Sequence, residues 1–99
     1  MKGKQASHAK DLGSAIDELV ESLGIQHKLH EYEAVLQWDS LVGEHIAKAA
    51  SAVKIGKGIL LVRVKNSTWR NELSLRKHEI IRTINTALND EIVKDIKFQ

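Results

Sequence analysis

Along the 99 residues, apolar positions recur first with the period of a helix. Leu12, Ile16, Leu19, Val20 and Leu23 are spaced so that all five share one helical face. Asp17, Glu18 and Glu21 lie off that stripe, and Gly24 before Ile25 reads as a left-handed stop with its hydrophobic contact. A second helical stretch spans residues 26–41. Its apolar side chains, Leu29, Tyr32, Val35, Leu36, Trp38, Leu41 and Val42, are spread around most of the helix. Such a distribution predicts burial on two sides, against the first helix and against a sheet. Gly43 interrupts the pattern, and residues 44–50 read as a short helical turn.

The period then drops to two. In residues 52–55 and 60–65 apolar and polar positions alternate, and Lys57-Gly58 supplies a two-residue turn. That hairpin sets Ile55 across from Leu60 and Val53 across from Val62, all on a core face with Val64. The other face carries Lys54, Leu61, Arg63 and Lys65. Ser67 is the expected N-cap of a long helix reaching Leu88, with Trp69, Leu73, Ile80, Ile84 and Ala87 as its inner stripe. Arg70 and Lys77 flank that stripe on one side, Arg76 flanks it on the other, and Arg82 points away. Asn89-Asp90 is a turn, and residues 92–98 form a last strand with Ile96 and Phe98 facing inward. A strand–helix–strand crossover implies parallel pairing within one sheet. The expected fold is therefore α+β, a small three-stranded sheet packed against helices.

Length and composition narrow the choice further. A chain this short builds one modest core and no deep cleft. Residues 1–7 are polar, basic and without periodicity, as in a disordered arm, which leaves residues 8–99 as one domain. No apolar run is long enough for a membrane span, and the basic N-terminus lacks the apolar stretch of a secretory signal. The absence of cysteine removes disulfides and thiolate zinc sites and fits a cytoplasmic setting. The net charge of +2 conceals a strong pattern: +3 over residues 1–10, −7 over 11–47, +7 over 48–82 and −1 over 83–99. Positive charge concentrated on one side is the footprint of a nucleic-acid face, although a basic stretch also simply coats a solvated surface.

Catalytic chemistry finds no foothold. The sequence lacks a nucleophile elbow, a phosphate loop and a dinucleotide fingerprint, and Gly56-Lys57-Gly58 lies between strands, where a hairpin turn outweighs a phosphate cradle. His27 and His30, with Glu31 beside them, suggest metal ligation, and His30-Glu31-Tyr32-Glu33-Ala34 begins like a zinc-protease helix. Ala34 stands where the second histidine belongs, so exposed helix histidines are the better reading and no metal or cofactor is expected. Trp38 and Trp69 have the chemistry to stack on unpaired bases, but on apolar helix stripes they are expected in the core with Leu73.

Taken in order, several segments form a familiar series. Trp38, Leu41-Val42-Gly43 and Ile46-Ala47 lead into the hairpin at Gly58-Ile59-Leu60-Leu61-Val62, then Ser67, Trp69, Glu72 and Leu73, then a short last strand. This series resembles the DciA-like family over nearly the whole chain. The resemblance implies a fold similar to a K-homology domain. It also implies a non-enzymatic role in bacterial DNA replication, with DNA and a DnaB-type replicative helicase as partners and no small-molecule substrate. Gly43-Glu44-His45-Ile46 supplies one glycine of the two that the K-homology phosphate clamp uses, and the zinc ribbon of some relatives has no cysteines here. Lys54, Lys57, Arg63, Lys65, Arg70 and Lys77 are the candidate nucleic-acid contacts, on single-stranded or forked DNA without sequence readout. Six phosphate contacts would give a salt slope of roughly −4 to −5. A protein-only adaptor and an RNA-binding factor are the competing expectations.

Overall fold

The computed structural model describes residues 13–19 and 24–99. The described part of helix α1 is residues 13–19. It is followed by α2 (Ile25–Leu36), α3 (Trp38–Val42), α4 (Glu44–Ala47), β1 (Ala50–Gly56), β2 (Ile59–Val64), α5 (Ser67–Leu75), α6 (Lys77–Leu88) and β3 (Asp95–Phe98). The sheet order is β1-β2-β3. β1 and β2 are antiparallel, and β3 returns through α5 and α6 to run parallel to β2, as the crossover required. The α+β class stands, while the likeness to a K-homology domain rests on the family resemblance alone. The expected basic arm, and the stripe residues Leu12, Val20 and Leu23, lie outside the described residues.

The hairpin turn follows from its backbone. Lys57 (φ 53°) and Gly58 (φ 80°) are both left-handed, which is the requirement of a type I′ turn. A Cβ on Gly58 would also sit 3.0 Å from the Lys94 side chain, which would have to give by a few tenths of an ångström. Ile55 pairs with Leu60 as the alternation predicts. Farther along, Ala52 rather than Val53 faces Val62, and Lys54 faces Leu61, because the register shifts between Ala52 and Lys54. Val53 is the extra residue of a bulge and turns outward, 39% exposed, instead of joining the core face. In its stead the small residues Ala50 and Ala52 face inward, and the buried Trp38 donates its Nε1–H to the Ala50 carbonyl at 2.9 Å.

Both long helices are broken. The second stretch turns at Gln37 (φ −101°, ψ 15°) and the stretch after the hairpin turns at Arg76 (φ −101°, ψ 9°), where a tightened Arg76 N–H to Leu73 carbonyl bond ends α5. The N-cap of α5 is Asn66 and not Ser67: the Asn66 side chain accepts from the Trp69 N–H at 2.8 Å. Trp38, Leu60, Val62, Leu73, Ile84, Ile92 and Val93 are the largest fully buried side chains. Trp69 is half-buried, packed on the core and edge-on to the His45 ring at 5.3 Å. Ala87 is exposed and Leu88 takes its place inside. Ile92 and Val93 are buried without joining the strand, because the Asn85 side chain both accepts from the Val93 N–H and donates to its carbonyl, each at 2.9 Å. The two-sided burial expected of α2 is not observed. Leu29, Tyr32 and Leu36 are open to solvent, and only Ala34 of that helix is buried.

Candidate nucleic-acid interface

Burial alternates along β2, with Leu60, Val62 and Val64 inside and Ile59 and Arg63 outside, so one face of the sheet packs on helices and the other meets solvent. On the solvent face, Lys54 pairs with Leu61 across the hairpin, and Leu61 pairs with Lys97 across the parallel ladder. Paired residues share a face, so Lys54, Leu61 and Lys97 form one row straddling all three strands. The two lysines are separated by roughly 10 Å at the usual strand spacing. Arg63, opposite Ser51, occupies the next row. Lys65 is exposed two residues beyond it, where its N–H bonds the Ala49 carbonyl at 2.8 Å and carries the strand path past Val64.

The remaining candidates are placed differently. Lys57 is exposed at the hairpin tip, where Lys94 is brought alongside by its N–H bond to the Gly58 carbonyl at 2.8 Å. Arg70 is exposed on α5, outside the strand rows. Lys77 is not a free cation: its Nζ lies 3.0 Å from Asp95 Oδ1. Asp95 opposite Ile59 is on the same open face as Lys97, and the Lys77 hydrogen bond, reinforced by the Ile96 N–H, holds its carboxyl below the usual range. Lys77 therefore cancels an acid on this surface. Arg76 and Lys48 are likewise paired within their own helical turns, with Glu72 at 2.9 Å and Glu44 at 3.3 Å. Lys97 is the residue that sequence reasoning missed. Its signal was present, since Ile96 and Phe98 facing inward put Lys97 outward on the strand beside β2.

His27 is an exposed helix histidine as expected, whereas His30 is half-buried; both Nδ1 atoms converge on Asp90 Oδ2, at 3.3 and 2.9 Å, and tie α2 to the turn after α6. The His30 hydrogen bond is the main reason the Asp90 carboxyl lies below its ordinary value; partial desolvation opposes it, and the His27 bond adds to it. Among the described residues no group of three or more acidic or histidine side chains is arranged to hold a metal ion. No described helix is long and apolar enough to cross a membrane. Trp38 is fully buried with its ring nitrogen committed, so it offers no stacking surface.

The family described as Dna[CI] antecedent, DciA, matches residues 11–98, which include every element from α2 to β3. The chain belongs to the DciA family. Among similar proteins of this family type, the UPF0232 protein of Mycobacterium bovis (strain BCG / Tokyo 172) is 25% identical over 95 residues, covering 96% of this chain and 51% of the relative. The UPF0232 protein of Rhodococcus jostii (strain RHA1) is 27% identical over 85 residues, 86% of this chain and 45% of the relative. That of Mycolicibacterium smegmatis is 24% identical over 95 residues, 96% and 49%. The chain thus spans about half the length of the curated relatives it matches. In this DciA-family chain the matched region carries both the sheet with its basic rows and the helices that support it.

Proposed function

We propose that this chain is a non-enzymatic accessory of bacterial DNA replication. In this reading, residues 8–99 act as one cytoplasmic domain that holds DNA against the open sheet face and works with a DnaB-type replicative helicase. One observation carries the DNA part: Lys54 and Lys97 flank Leu61 in a single cross-strand row with Arg63 beside it, on a face where Asp95 is already neutralised by Lys77. Cations held on a rigid sheet at strand spacing suit a phosphate backbone, and nothing in the arrangement projects a helix or ribbon to read base edges. Lys57 and Lys94 extend the positive surface to the hairpin tip, and Lys65 extends it past the end of β2. Arg70 belongs to this reading as a flanking contact, and Lys77 as the residue that keeps the face free of negative charge. The helicase part rests on membership in the family described as the antecedent of Dna[CI].

The test is a titration with single-stranded, forked and duplex DNA at two salt concentrations, with and without the cognate helicase. Charge reversal at Arg63 and Lys97 is expected to weaken retention on single-stranded and forked DNA while the melting temperature stays within a few degrees. Unchanged DNA retention would transfer the proposal to a protein-only adaptor, a reading favoured by the solvent-exposed apolar stripe of α2. Stronger competition by single-stranded RNA than by DNA would transfer it to an RNA-binding factor.

A further inference from the structure

The open face of the sheet is not uniformly charged. On β2, its central strand, Ile59 and Leu61 face solvent between the two lysine-bearing outer strands, Ile59 46% exposed and Leu61 half-buried. Their neighbours leave them accessible. On the β1 side Ile59 is opposite Gly56, which has no side chain, and a Cβ placed there would meet nothing within 4 Å. On the β3 side it is opposite Asp95, whose carboxylate is held by the Lys77 Nζ at 3.0 Å. Leu61 lies between Lys54 and Lys97, and Arg63 follows it along β2. Two apolar side chains thus form a floor, with a lysine on either side and an arginine at one end.

Phosphates account for the cations but not for the floor. A phosphate chain gains nothing by covering Ile59 and Leu61, and a duplex keeps its base faces inside its stack. In an unpaired strand the base faces are open, and every base has one to bury, whatever its sequence. Side chains two residues apart on a strand are separated by roughly 7 Å. That is about twice the 3.4 Å step of a stacked strand, so each side chain can take one base of a strand pulled out of its stack. We propose that Ile59 and Leu61 are a base-contact site, on which the faces of two successive unpaired bases rest while the adjoining phosphates reach Lys54, Arg63 and Lys97. The inference rests on the sheet face being the DNA surface, and it adds a preference for unpaired strand that comes from apolar contact and not from charge.

An abasic strand separates the two contributions, because it keeps the phosphate chain and lacks the bases. Affinity of the full chain is measured for a short oligothymidylate and for an abasic strand of equal length over a range of salt. The oligothymidylate is expected to bind roughly tenfold more tightly. Plots of log affinity against log salt are expected to be parallel for the two strands, since apolar contact releases no counterions. Ile59→Ser and Leu61→Ser are each expected to weaken oligothymidylate binding about threefold and to leave the abasic strand unaffected, which also reports that the face is intact. Equal affinity of the parent protein for the two strands overturns the inference. So do serine variants that weaken both strands alike or neither. Arg63→Glu/Lys97→Glu tests the underlying reading separately: it is expected to weaken both strands. If it weakens neither, the DNA surface itself is misplaced; if it weakens both while the parent binds them equally, the base contact alone fails.

Discussion

At the scale of single residues, the side chains that matter most are those with a partner no substitute can replace. Trp38 is buried and donates to a carbonyl on the first strand, so it joins helix to sheet by packing and by a hydrogen bond at once. Trp38→Phe keeps most of the ring and removes the donor, leaving a buried carbonyl without it. The expected cost is about 1–3 kcal/mol, several degrees in the thermal midpoint of a chain this size. Asp90 sets a pH dependence. Its carboxyl is held below the ordinary value of 3.8, chiefly by His30, so its contribution to stability is complete above that value and is lost as pH falls through the lowered one. Denaturant midpoints measured down the acid limb should therefore fall less steeply in Asp90→Asn than in the parent. Equal slopes would show that the bonds from His27 and His30 contribute nothing to folding.

At the scale of elements, the hairpin was fully legible and its bulge was not. A Lys-Gly turn between alternating strands fixes Ile55 opposite Leu60, but past Ile55 the sequence offers both Ala52 and Val53 as inward residues. Alternation alone prefers the larger one. Ala52 packs on the core, and the strand just before it is tied to Trp38 through the Ala50 carbonyl, tertiary relations that no local pattern carries. The helix breaks at Gln37 and Arg76 were invisible for a related reason, since neither site has a proline or glycine to announce it. The final strand was drawn too long because Ile92 and Val93 are apolar and buried, yet Asn85 takes both backbone groups of Val93 that a ladder would use. Asn85→Ala should free that segment, lower stability by about 1–3 kcal/mol and speed amide exchange at Val93, as read by native-state hydrogen exchange.

At the scale of the molecule, the +7 charge of residues 48–82 becomes a surface only in part. Lys48, Arg76 and Lys77 are taken up by Glu44, Glu72 and Asp95. On the open sheet face Lys54, Arg63 and Lys65 remain, with Lys57, Arg70 and Arg82 exposed away from its rows, and Lys97 joins the face from outside that segment through the parallel pairing of β3. Sequence alone located the basic region and the open face. It could not assign Lys77, whose partner lies eighteen residues away and is met only once the crossover is complete. If the face works through these four cations, the salt slope on single-stranded DNA should be about −3, shallower than six contacts would give. In Arg63→Glu/Lys97→Glu the slope should fall by at least one more unit, measured as retention against logarithm of salt.

The bulge at Val53 also bears on how this sheet avoids growing. β1 is an outermost strand, and a straight, regularly paired border would be a template for strands of other molecules. One surplus residue interrupts the repeat of donors and acceptors there, so an incoming strand meets a mismatch after two or three bonds. Deleting Val53 would restore an even border, and the shortened protein should form thioflavin-positive fibrils under conditions in which the parent stays clear.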